Sequence, residues 1–84
     1  MTQTISVRLL CFSWVKEGLG AGEVSITLPE GATGEDLEKE VRSRARGVLD
    51  GIPLRLARNG EFVPLRSGLE DGDEVALIPP VQGG

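Results

Sequence analysis

Only one stretch of this chain repeats its apolar residues at helical spacing, and alternating apolar residues lie on both sides of it, so the simplest fold that buries both sets is a sheet served by one helix. Leu37, Val41, Ala45 and Val48 recur at intervals of four, four and three, which places them on one face of a helix. Pro29 and Gly31 end the segment before it, and Thr33 followed three residues later by Asp36 reads as an N-cap with an acidic first turn. The pairs Glu35/Lys39, Glu38/Arg42 and Glu40/Arg44 stand four apart on the opposite face, the order that favours ion pairing on a solvated helix surface. The pattern fails near Gly47 and Gly51, where the helix is expected to stop.

Before that helix, Ile5, Val7, Leu9 and Cys11 alternate with Thr4, Ser6, Arg8 and Leu10, the period of two of a half-buried strand. Leu10 and Phe12 fall on the face where Ser6 and Arg8 point to water. Gly18, Gly20 and Gly22 mark a turn, and Val24, Ile26 and Leu28 form a second strand, antiparallel to the first. After the helix, Leu54, Leu56 and Arg58 alternate up to Asn59-Gly60, a dipeptide suited to a type I′ hairpin. Phe62, Val63 and Pro64 return as a short strand, with Pro64 pointing to an edge or an end. A last strand spans residues 74–78, and Pro79-Pro80 stop it by removing two backbone donors. The predicted class is α+β, a mixed sheet packed on one helix over residues 1–78, with residues 79–84 as an extended tail. This element order resembles the β-grasp arrangement of ubiquitin-like proteins, and the analogy supplies the strand pairing.

Composition removes most catalytic chemistries. With no histidine and one cysteine among 84 residues, the chain cannot build a Ser-His-Asp triad, a Cys-His pair, a Cys/His zinc site or an internal disulfide. Cys11 sits on the core period and is expected to be a small buried side chain rather than a nucleophile. A lone cysteine, no secretory pattern in residues 1–12 and no long apolar run lead to the expectation of a cytoplasmic chain that spans no membrane. A net charge of -4 with three aromatics, Phe12, Trp14 and Phe62, argues against nucleic acid as a partner. Glu70, Asp71, Asp73 and Glu74 read as a solvated turn or as charges that steer docking. Trp14 packs in the core or caps a partner surface; the two readings stand side by side.

Reactivity is left at the tail. Six residues, 79–84, extend up to about 20 Å. The two prolines stiffen the stem, and Gly83-Gly84 place no β-carbon beside the terminal carboxylate. Such an end suits a narrow tunnel. A carboxylate is a poor electrophile, so its use as a carrier requires activation to an acyl-adenylate, and without a G-x-x-x-x-G-K-[ST] loop the ATP site has to be a partner's. The adenylate then accepts a sulfur nucleophile, giving a thiocarboxylate, or an amine, giving a protein conjugate.

The run DGDEVALIPPVQGG, residues 71–84, resembles the C-terminal signature of the small, sulfur-carrier subunit of molybdopterin synthase. Further similarity to that family lies in LLCFSWVKEGLG at residues 9–20, PEGAT at 29–33 and RNGEFV at 58–63. The resemblance implies that Gly84 carries the thiocarboxylate with Gly83 beside it, and that the tail enters the large subunit, where sulfur passes to cyclic pyranopterin monophosphate, two carrier turnovers per dithiolene. It also implies a heterotetramer of two small and two large subunits, a ubiquitin-activator-like adenylyltransferase and a sulfur donor protein. On this reading the chain binds no cofactor, ATP is used by the adenylating partner, and the chain is non-catalytic on its own. The implied partner-binding residues are Leu10, Phe12, Ile78, Pro79, Pro80, Val81 and Gln82. Ile78 stands where other members have Phe, and Lys16 where others have Arg. Leu10 and Phe12 serve either as interface or as ordinary sheet surface. The alternatives are a carrier for thiamine or tRNA thiolation, a ubiquitin-like protein modifier, and a non-reactive interaction module.

Overall fold

The computed structural model describes residues 3–80. The elements run β1 (Thr4–Leu10), α1 (Ser13–Leu19), β2 (Glu23–Pro29), α2 (Gly34–Arg44), β3 (Arg55–Arg58), β4 (Glu61–Val63) and β5 (Glu74–Ile78). They build a five-stranded sheet in the order β2-β1-β5-β3-β4. The β1–β5 pair is parallel, and β1–β2, β3–β5 and β3–β4 are antiparallel.

Each strand sends its alternate apolar residues to one side. Ile5, Val7 and Leu9 of β1, Ile26 and Leu28 of β2, Leu56 of β3, and Val75 and Leu77 of β5 are buried there against Leu37 and Val41 of α2. Complete burial of a side chain such as Leu9, Leu37 or Leu77 contributes about 1.5–3 kcal/mol each. The expected capping box is present: the Thr33 backbone N–H donates to Asp36 Oδ2 at 2.9 Å. Asn59 and Gly60 have φ of 50° and 88°, the pair of positive angles that a type I′ hairpin demands. β4 is an edge strand of three residues, as Pro64 implies.

Three expectations are corrected. The 13–19 segment is a helix, not part of a glycine turn, so two helices rather than one lie on the core. At seven residues it is too short to show a long periodic stripe, but Val15 is fully buried and Trp14 and Leu19 pack on the core. Trp14 therefore takes the core reading. Val48 does not continue the helical stripe, since α2 ends at Arg44 and Arg46 and Gly47 turn to positive φ. That break shifts the register, leaving Val48 47% exposed and burying Leu49 instead. Arg42 holds the resulting loop by donating to the carbonyls of Leu49 and Ile52 while paired with Glu38. Of the three helix pairs, Glu38–Arg42 and Glu40–Arg44 form, whereas Glu35 and Lys39 are not joined among the described residues.

α2 also approaches the β3 side of the domain closely at its first residue. A Cβ on Gly34 would meet Leu56 Cδ2 at 2.4 Å and the Leu65 carbonyl oxygen at 2.6 Å, and neither the core leucine nor the backbone can yield without repacking. Gly34→Ala is therefore expected to lower stability by about 2 kcal/mol, the steric cost outweighing any gain in helix propensity. Urea unfolding followed by circular dichroism measures this.

Candidate docking face and the root of the tail

The other face of the sheet, away from the helices, divides into a polar part and an apolar part. On the polar part, Arg8 pairs with both Glu23 and Glu74, and Ser6 shares a hydrogen bond with Ser25. Glu74, through its hydrogen bond and then its charge, and Glu23 through its charge, raise the Arg8 guanidinium above the usual arginine range.

The apolar part follows from register. Leu10 stands opposite Ala76, Ala76 opposite Ala57, and Ala57 opposite Phe62, so one row of side chains crosses four strands. With Phe12 and Ile78 these residues line a shallow groove of about 250 Å³. The alanines form its low floor, and Phe12 and Phe62, 49% and 54% exposed, form its walls. Two large aromatics exposed on one groove of a small acidic chain mark a surface suited to a partner.

Of the residues expected to bind a partner, Leu10, Phe12 and Ile78 come together in this groove. Pro79 follows directly and is buried, and Pro80 is exposed. Val81, Gln82, Gly83 and Gly84 lie outside the described residues. Nothing in the local spacing of Phe62 marks it as part of this face; its pairing with Ala57, itself opposite Ala76, brings it beside Leu10 and Ile78.

The acidic cluster is a folded turn. Asp73 accepts from the Asn59 side-chain amide at 3.0 Å and from the Glu70 backbone N–H at 2.8 Å. Asp71 accepts from the Ser6 N–H at 2.8 Å, and Asn59 Oδ1 accepts from the Glu74 N–H at 2.9 Å. These bonds hold the start of β5 between the two hairpins. Among the described residues no group of three or more acidic or cysteine side chains is placed to hold a metal ion, and no helix is long and apolar enough to cross a membrane. Cys11 is buried, as its period implies, with its thiol directed at the Leu9 carbonyl. The domain thus offers an apolar face that reaches Ile78, with no acid, base or nucleophile lining the groove apart from Glu74, which Arg8 engages.

A mixed sheet with β5 inserted between β1 and β3 and two helices on one face defines a ubiquitin-like β-grasp protein. The model of the ThiS family matches residues 9–84, and the chain belongs to that family. Among its relatives, the molybdopterin synthase sulfur carrier subunit of Chlamydomonas reinhardtii is 36% identical, the match covering 95% of this chain and all of the relative. The protein of the same name from Homo sapiens is 32% identical, with both chains covered in full. The solved structure of a putative molybdopterin converting factor, subunit 1, from Pyrococcus furiosus superposes with a TM-score of 0.81 at 30% identity, covering 92% of this chain and 99% of that one. The small archaeal modifier protein 1 of Haloferax volcanii superposes at 0.76 with 28% identity, covering 92% and 99%.

Burial pushes the Cys11 thiol pKa up, so less thiolate is present at a given pH than in an ordinary cysteine. Reaction with a disulfide reagent at pH 8 is expected to be slower in the folded protein than in denaturant by a factor on the order of 100 or more. Absorbance of the released thiol reports the two rates.

Proposed function

We propose that this chain is the sulfur carrier of a molybdopterin synthase, with Gly84 as the reacting residue, Gly83 as its unhindered neighbour and residues 79–84 as the delivering tail. The observation that carries the reading is near full-length likeness to curated sulfur carrier subunits at 36% and 32% identity. It is supported by an apolar face that ends at the tail's root.

The chemistry has two steps outside the domain. A Gly84 carboxylate oxygen attacks the α-phosphorus of ATP, pyrophosphate leaves, and the acyl-adenylate forms. A sulfide equivalent from a donor protein then attacks the carbonyl, AMP leaves and a thiocarboxylate remains. ATP is bound by a ubiquitin-activator-like adenylyltransferase, since this chain has no phosphate loop of its own. The charged tail next enters a large subunit, in a heterotetramer of two carriers and two large subunits, and passes sulfur to cyclic pyranopterin monophosphate. The domain's part is to bind and to aim: Leu10, Phe12, Phe62 and Ile78 seat the sheet, and Pro79, Pro80, Val81 and Gln82 lead the terminus inward. A cytoplasmic setting fits a lone, buried thiol.

A second reading, a protein modifier joined through Gly84 to lysines, is favoured by the likeness to the small archaeal modifier protein. One assay separates the two. The chain, an adenylating partner, ATP and sulfide are expected to give an intact-mass gain of one oxygen-for-sulfur exchange, absent when Gly84 is deleted although the melting temperature is unchanged. Addition of the large subunit and pterin precursor then yields dithiolene. Absence of the mass gain overturns the carrier reading, and lysine adducts without dithiolene favour the modifier.

A further inference from the structure

The apolar groove carries one cation at its rim. Arg55 of β3 stands opposite Ile78, the last residue of β5, and so lies beside the point where the tail leaves the sheet. Its guanidinium lies 4.1 Å from the centroid of the Phe62 ring. It is exposed, and it has no carboxylate partner among the described residues. The other cation of this face, Arg8, is occupied by Glu23 and Glu74. Contact with the ring restrains a long side chain that would otherwise lose rotamer freedom on binding. It also leaves the N–H groups at the rim of the guanidinium plane open, the donor fork that matches a carboxylate.

On the sulfur-carrier reading above, we infer that Arg55 is a specificity-determining residue of docking: it takes an Asp or Glu carboxylate of the large subunit beside the apolar groove and thereby fixes the angle at which the tail enters. Charge complementarity selects this occupant, because an apolar surface that covers Phe62 and Ile78 also covers a guanidinium that then needs an acceptor. The chain as a whole carries a net charge of -4, which gives a partner little reason to carry acid anywhere else on this interface.

Binding of the full chain to the large subunit from the same genome, measured by calorimetry at low and moderate salt, tests this. Arg55→Gln is expected to weaken the complex about tenfold at low salt and to flatten its salt dependence. Arg55→Glu is expected to weaken it by on the order of 100-fold, through repulsion, and Arg55→Lys to lie between wild type and Gln. Matching melting temperatures for the three variants exclude a folding defect, and the Lys variant, which retains charge and stem, keeps the test open should Gln unfold. Gln binding within twofold of wild type, or a loss that is the same at both salt concentrations, overturns the assignment of Arg55 and leaves the carrier reading intact. Wild-type chain that fails to bind the large subunit at all overturns the carrier reading itself.

Discussion

The placement of β5 between β1 and β3 is the constraint on which the domain rests. The β1–β2 and β3–β4 hairpins are far apart in sequence, and no pairing joins them directly. β5 pairs with both, parallel to β1 and antiparallel to β3, and turns two hairpins into one sheet. Its three central residues, Val75, Ala76 and Leu77, are all buried, as befits a strand closed on both edges. The β1–β5 pairing spans most of the chain, so closing it costs more loop entropy than closing either hairpin. Because the sheet is completed by the last strand, the tail leaves from its middle rather than from an edge.

The polar bonds around residues 70–74 make that insertion specific. β5 meets its neighbours in one register only if the turn before it is fixed, and Asp71, Asp73 and Asn59 fix it by bonding to backbone groups of β1, of the turn itself and of β5. A slip of one residue would exchange the two faces of β5. Val75 and Leu77 would then leave the core, and Ile78 would leave the groove.

Much of this was legible in the sequence because it rests on local rules. The five strands, the capping box from Thr33 to Asp36, the Asn59-Gly60 hairpin and the buried Cys11 follow from period, cap and turn chemistry acting within a few residues. α1 did not, since seven residues around Val15 carry too little periodicity to outweigh the glycines at 18, 20 and 22. The exchange of Val48 for Leu49 was hidden because it depends on a backbone reversal at Arg46 and Gly47, which only Arg42 and the core below it stabilise. Leu10, Phe12 and Ile78 showed as apolar residues out of place on a strand or at its end. Phe62 and Arg55 gained meaning only through cross-strand register, a long-range property that composition and spacing do not contain.

The buried Pro79 alters the leverage of the tail. The packed body extends one residue past the last strand, to Pro79. On the carrier role proposed above, the five residues 80–84 would span at most about 17 Å, so a pocket that receives Gly84 would have to open within that distance of Pro79. The length of the tail would then make insertion depend on how the sheet is seated.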